Sequence, residues 1–153
     1  MQCTWKSSCV VLAVVIAAAT IAVASSPSKA AGGTSPFAGR YEGFNGTFRV
    51  SSRGEINGSY SYDWVFFGYG GPKFHDQGTI SGTVTDAGVL TIDVDGTSQQ
   101  ITPTRGAKEP RHYHLEATAS LGADGDMVGD GLMSSTTNGS TAPWAYPFEF
   151  PRR

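Results

Sequence analysis

Two histidines and a glutamate are spaced so that they could hold a metal ion. In His112-Tyr-His114-Leu-Glu116 they alternate with other residues, and alternate residues of a β-strand share one face. Imidazole and carboxylate groups at this spacing can bind zinc or copper. The apolar character of the opposite face, however, indicates that it is the inner one: Tyr113, Leu115, Ala117 and Ala119. We therefore predict that His112 and His114 face solvent, and we expect no metal and no cofactor.

His75-Asp76 is the other pair that could transfer protons. An imidazole beside a carboxylate suits general acid–base chemistry, but no nucleophile is marked close to this pair in the sequence. We therefore predict no catalytic residues and interpret the chain as a non-enzymatic protein.

Residues 59–71, SYSYDWVFFGYGG, contain six aromatic rings that could fill a core or contact a ligand. Alternation places four on one face, and a second aromatic strand, WAYPFEF, follows at 144–150. Tyrosine hydroxyls and the indole N–H need partners when buried, which counts against a purely dry core. An apolar wall with a few polar tips is the usual composition of a small-ligand site, so a solid core and a cavity both stay open. The predicted ligand-binding residues are Tyr60, Tyr62, Trp64, Trp144 and Tyr146.

Two links between strands carry residues that could contact a partner. The glycine-rich link 67–75 holds three rings that break the alternation and are predicted at a rim: Phe67, Tyr69 and Phe74. The loop 103–111 is basic and carries Arg105, Lys108 and Arg111. In an up-and-down arrangement alternate connections share one end, which predicts that this loop lies opposite the link 67–75. An anion or a protein partner could bind there.

Strand-length segments must position these groups, because apolar and polar residues alternate along most of the chain. No segment of the mature chain sustains a 3.6-residue apolar period, so we predict no helix. Asp95-Gly96 is predicted to be a turn, since both residues tolerate positive φ. The eight predicted strands are 40–50, 55–66, 76–84, 89–94, 98–103, 111–119, 127–134 and 143–150.

A short pattern of glycine, any residue, a large residue, any residue and glycine occurs four times. Its large residues are Tyr41, Ile56, Ile80 and Met127. Each copy puts small, large and small side chains on one face, as in the interior of a small barrel. Together with the short links, this favours an all-β fold, a single antiparallel up-and-down β-barrel. An open β-sandwich is the alternative.

The N-terminal residues have the three parts of a secretory signal peptide. Lys6 precedes the apolar run 10–24, which ends in Ala-Val-Ala. We predict a cleaved signal at 1–24, a flexible leader at 25–37 and a barrel domain at 38–153, exported to the periplasm or secreted. No membrane span is expected after cleavage, since fifteen apolar residues are fewer than the roughly 20 that a spanning helix needs.

The predicted mature chain differs in composition from the whole. Both cysteines, Cys3 and Cys9, precede the apolar run, so the exported domain has no disulfide and depends on its core. Without Lys6, ten basic and thirteen acidic residues leave a net charge of −3. This charge argues against nucleic-acid binding, which needs a basic surface.

The predicted architecture resembles the small secreted barrels of the avidin and lipocalin (calycin) type, and also exported protease-inhibitor barrels. The resemblance is one of fold, and fold does not determine function. It is compatible with two hypotheses. The first is a non-enzymatic barrel that binds a small apolar or aromatic ligand in its interior. The alternative is a protein- or glycan-interaction module, including an inhibitor-type barrel, that acts through its rim loops.

Overall fold

The computed structural model describes residues 33–66, 70–136 and 142–153, and its regular elements are all β-strands. In chain order these are β1 Gly39–Gly43, β2 Gly46–Val50, β3 Glu55–Val65, β4 Lys73–Val84, β5 Val89–Thr102, β6 Lys108–Leu121, β7 Met127–Ser135 and β8 Trp144–Phe150. They form one antiparallel sheet in which each strand pairs with the next along the chain. The predicted all-β, up-and-down architecture is confirmed. Among the described residues there is no helix long and apolar enough to span a membrane.

The number of strands agrees with the prediction, but one predicted strand is divided in two and two predicted strands are joined into one. The predicted strand 40–50 is two strands, because Phe44 and Asn45 adopt φ angles of 53° and 57° and form a tight turn. The predicted turn at Asp95-Gly96 is wrong, since β5 runs unbroken from Val89 to Thr102. Both residues pair with β4 on one side and β6 on the other. Hydrogen bonding to two neighbouring strands outweighs the local preference of this dipeptide for a turn.

This change in β5 decides which connections share an end of the sheet. The β1–β2, β3–β4, β5–β6 and β7–β8 connections all leave from one end, which we call the mouth. The prediction that the basic loop lies opposite the aromatic link is therefore wrong. The predicted arrangement placed an extra turn between them, and without that turn both connections lie at the mouth. The β5–β6 connection is also shorter than predicted, because β6 begins at Lys108.

The inner face of the sheet holds the core, and the glycine pattern identifies its centre. The four large residues of the pattern are each at most 1% exposed: Tyr41, Ile56, Ile80 and Met127. Alternation along β5 puts Leu90, Ile92 and Val94 on the inner face, and all three are buried. Two glycines of the pattern, Gly54 and Gly125, lie in turns at φ +82° rather than inside strands. The pattern thus predicts the buried positions correctly, with some of its glycines serving the turns.

The sheet curls until β1 contacts the chain that follows β8. The backbone N–H of Glu42 donates to the carbonyl of Pro151 at 2.9 Å, and that of Arg153 donates to Arg40 at 2.8 Å. Between these two bonds, Arg152 reaches back with its guanidinium and donates to the carbonyl of Ala38 at 2.7 Å. These contacts join the first strand, β1, and the residue before it to the chain that follows β8, the last strand.

Packed structure begins within the predicted leader. Phe37 is buried in the core, and its carbonyl accepts a hydrogen bond from the Tyr41 hydroxyl at 2.8 Å. Ser35 is also buried, and its N–H donates to Ser52 at 2.9 Å. The predicted signal peptide, 1–24, and the leader up to residue 32 lie outside the described residues.

Candidate functional site

A cavity opens inside the curled sheet at the mouth. Its volume is about 220 Å³. The turn between β1 and β2 forms one side, and β3 to β8 supply the rest of the wall. The lining residues are Phe44, Asn45, Tyr60, Tyr62, Asp76, Val94, Tyr113, Met133, Trp144 and Tyr146. The wall is therefore mainly aromatic and apolar, with one carboxylate.

The strand register explains how the tyrosines reach the cavity. Tyr60 pairs with Gly78 of β4, and Gly78 pairs with Gly96 of β5. The two glycines leave a space beside the ring, and the Tyr60 hydroxyl occupies the place that a Cβ at Gly96 would need. This is a position where close approach requires glycine. The same row continues to Arg111 on β6, so that side chain belongs to the inner face.

The next row towards the mouth is polar. Tyr62 pairs with Asp76, and Asp76 pairs with Ser98. Asp76 is only 5% exposed, and its Oδ2 accepts a hydrogen bond from the Tyr62 hydroxyl at 3.2 Å. Its other oxygen, Oδ1, is buried without a hydrogen-bond partner in the described part of the chain. Buried polar atoms are normally hydrogen-bonded, so this orphan needs an explanation.

Three more buried polar atoms on the strands near Asp76 lack a partner among the described residues. They are the indole N–H of Trp64, the hydroxyl of Ser98 and Nε of Arg111. These residues lie on β3, β5 and β6, and Asp76 lies on β4, so the four unpartnered atoms occupy consecutive strands. Of these four residues, Asp76 is the one that lines the cavity.

Burial changes the acidity of the tyrosines in the wall. Desolvation, followed by the charge of Asp76 and the hydrogen bond to it, raises the pKa of Tyr62 to about 12. Desolvation also raises the pKa of Tyr60, where Asp76 acts in the same direction and Arg111 opposes it. The pKa of Tyr146 is raised by burial as well. At neutral pH the three phenols therefore keep their protons and act as hydrogen-bond donors.

Phe44 closes the cavity on the side of the β1–β2 turn. Its ring stacks on Tyr146 with centroids 6.1 Å apart and contacts Phe150 at 5.1 Å. A bulky residue at positive φ is strained, and such strain often occurs at functional sites. Sequence reasoning missed this residue. Asn45-Gly46 is a typical hairpin signal, but it predicts a turn one residue later than the observed Phe44-Asn45 turn.

The structure brings four of the five predicted ligand-binding residues to the cavity wall: Tyr60, Tyr62, Trp144 and Tyr146. Trp64 lies elsewhere. Its ring stacks on Phe74 with centroids 4.6 Å apart and contacts Phe66 edge-on at 6.0 Å. Phe74 lies near the start of β4 and Phe66 directly follows β3, so Trp64 is part of an aromatic group at the mouth beside the cavity.

The wall also contains residues that the sequence does not assign to a site. Alternation along their strands puts Val94 and Tyr113 on the inner face, whereas Met133 of β7 has no predicted position. The sequence marks Asp76 only as the neighbour of His75. Strand alternation separates the two, since His75 points outward and Asp76 inward.

The predicted rim residues do not form one group. Phe67 and Tyr69 lie outside the described residues. Arg105, in the β5–β6 connection, donates to the side-chain oxygen of Gln99 at 3.3 Å. The predicted loop 103–111 is wrong at its C-terminal end, because Lys108 and Arg111 belong to β6. Tertiary pairing with β5 extends that strand beyond its apolar segment.

All three histidines lie on the outer face. Each is hydrogen-bonded to an aspartate on the neighbouring strand. The Nδ1–Oδ1 distances are 2.7 Å for His75–Asp63, 2.6 Å for His114–Asp93 and 2.5 Å for His112–Asp95. Hydrogen bonding to the aspartate raises the pKa of His75 and of His114. Within the described ranges, no group of three or more potential metal ligands comes together.

Searches against protein-family profiles, characterised proteins and solved structures give no match to this chain. The site is therefore interpreted from its own geometry.

Proposed function

We propose that this protein is a non-enzymatic barrel that binds a small aromatic or apolar ligand in the cavity at its mouth. The observation that carries the proposal is the cavity itself. An eight-stranded barrel is just wide enough either to be filled by side chains or to hold one small ligand. Here core residues fill the part of the interior away from the mouth, whereas a cavity of about 220 Å³ stays open at the mouth.

The size and lining of the cavity indicate what fits. An engineered apolar cavity of about 150 Å³ holds one benzene molecule, so the present volume suits one ring with a short substituent. Aromatic walls with a few polar groups are typical of small-ligand sites. The described lining residues favour binding rather than catalysis, since they include no nucleophile–base pair.

The proposal includes export of the chain, because the N-terminal residues have the composition of a secretory signal. Native mass spectrometry tests both parts together. Protein expressed with its N-terminal segment is recovered from the exported fraction and measured folded and denatured. We expect a chain that begins at Ser25 and carries an additional mass that is released on denaturation.

A matched pair of variants locates the bound molecule. Val94→Phe fills the cavity from β5, whereas Val89→Phe makes the same change on the exposed face of the same strand. The additional mass should disappear in Val94→Phe and persist in Val89→Phe, with circular dichroism showing that both variants fold. A bare chain in every sample, together with no response of the cavity residues to indole in NMR titrations, would refute ligand binding.

A second candidate function is binding of a protein or glycan through the rim. One observation favours it: apolar side chains are exposed at the mouth ends of β3 and β5, namely Val65, Phe66 and Ile101. Apolar groups gathered at one end of a small protein can form part of an interface. A Val65→Ser/Ile101→Ser variant that keeps the additional mass but loses a partner from the exported fraction would favour this function.

A further inference from the structure

We infer that the ligand of the cavity is an organic cation, an amine attached to a small aromatic or apolar body, whose charge is held by Asp76. This inference rests on the proposed function and assigns the chemical class of the ligand.

The carboxylate of Asp76 is the anionic group in the cavity wall and is almost completely buried. One of its oxygens accepts a hydrogen bond from Tyr62, and the other has no partner. A carboxylate accepts hydrogen bonds and cannot donate them, so the unused oxygen needs a donor. A buried charge without a counter-charge is also costly. A cationic donor would supply both the missing hydrogen bond and the positive charge.

The described residues do not supply that cation. Among the described residues no ion pair joins Asp76 to Arg111, the basic side chain of the same inner wall. Arg111 lies one row further from the mouth, opposite Gly96, and does not line the cavity. The carboxylate therefore belongs to the cavity wall and has one oxygen that no described group pairs with.

The rest of the wall suits an amine. Four tyrosines line the cavity with Trp144 and Phe44, and aromatic faces attract cations electrostatically. The body of such a ligand would contact Val94 and Met133, while its ammonium group lies against Asp76. An anionic ligand would face this same carboxylate, which disfavours it.

Three probes with one carbon skeleton test the inference: 3-phenylpropylamine, 3-phenylpropan-1-ol and 3-phenylpropanoate. Calorimetric titration at pH 7 should give the amine an affinity about tenfold or more above that of the alcohol, because a charge-assisted bond is stronger than a neutral one. Asp76→Asn should reduce the amine to the level of the alcohol. Asp86→Asn, which removes an exposed carboxylate from the β4–β5 turn at the opposite end, should change neither.

The possible outcomes separate this inference from the proposed function. Equal binding of amine and alcohol would overturn the cationic class while leaving a cavity that binds neutral molecules. Tightest binding of the propanoate would overturn it in favour of an anionic ligand. Binding of none of the probes, with an additional mass still present in native spectra, would reject a phenylalkyl amine and retain a cavity ligand of another kind. Thermal unfolding of Asp76→Asn shows that lost binding does not come from an unfolded variant.

Discussion

Replacing Asp76 with asparagine should make the unliganded protein more stable. The carboxylate is 5% exposed and accepts one hydrogen bond of 3.2 Å from Tyr62, while its Oδ1 accepts none. A buried polar group without a partner costs about 1–3 kcal/mol, and a charged one costs more. Asparagine keeps the shape and an oxygen for the Tyr62 hydroxyl but carries no charge. We therefore expect the free energy of unfolding to rise by about 1–2 kcal/mol.

Urea unfolding followed by circular dichroism at pH 7 measures this change. The midpoint should move to higher urea with an unchanged slope, which identifies a change in stability rather than in compactness. In thermal unfolding, each kcal/mol should raise the midpoint temperature by about 4 °C for a domain of this size. Asp86→Asn is the matched control, and its effect should stay within about 0.5 kcal/mol because the side chain is exposed.

A double-mutant cycle with Tyr62→Phe examines the cause. In the parent protein, Tyr62→Phe removes the hydrogen bond from the Tyr62 hydroxyl to the charged carboxylate of Asp76. In the Asp76→Asn background it removes a hydrogen bond to a neutral amide oxygen. The two costs should differ by about 1 kcal/mol, within the range for residues in direct contact. A decrease in stability of more than about 1 kcal/mol for Asp76→Asn would refute the reasoning, because the carboxylate would then be well satisfied in the free protein.

Three further predictions concern the interior, the outer face and the closure of the sheet. Gly96→Ala should lower the free energy of unfolding by about 1–3 kcal/mol, because the added methyl group would overlap the facing backbone. Gly122→Ala should be nearly neutral, because the nearest described atom beyond its chain neighbours is 3.7 Å from the added methyl group. Equal urea midpoints for the two variants would contradict this. The bond to Asp93 raises the pKa of His114 above 6.5, so the pair stabilises the fold below pH 6.5 and this contribution is lost as pH rises through the folded value. The NMR titration midpoint of His114 should fall in Asp93→Asn, and an unchanged midpoint would contradict the assignment. Arg152→Ala removes the 2.7 Å bond to the chain before β1 and should cost about 0.5–1.5 kcal/mol, with an unchanged thermal midpoint as the contrary result.

The buried oxygen of Asp76 connects stability with function. A protein selected for stability alone would not be expected to bury a carboxylate with only one of its oxygens hydrogen-bonded among the described residues. Binding sites commonly lower stability in this way, because the groups that receive a ligand are unsatisfied without it. The opposite effects expected for Asp76→Asn, greater stability and weaker amine binding, follow from this single cause.

Local patterns in the sequence predict the parts of this protein that depend on one strand at a time. Alternation identifies the inward faces of β3, β5 and β6, and the glycine pattern identifies four of the most buried side chains. This works because neighbouring residues of a strand point to opposite faces, whatever the strand pairs with. The same reasoning places Tyr60, Tyr62, Trp144 and Tyr146 on the inner side, and these four line the cavity.

Features that depend on several strands could be decided only by the tertiary structure. Asp95-Gly96 stays in β5 because β4 and β6 hydrogen-bond to it, and this pairing moves the basic connection to the mouth. The register sets Asp76 between Tyr62 and Ser98, where one of its oxygens has no partner in the described part of the chain. Register and strand length are determined by hydrogen bonds between segments far apart in sequence, so no local pattern contains them. The sequence therefore predicts which side chains face inward, and the pairing of the strands decides which of them meet and which lack a partner.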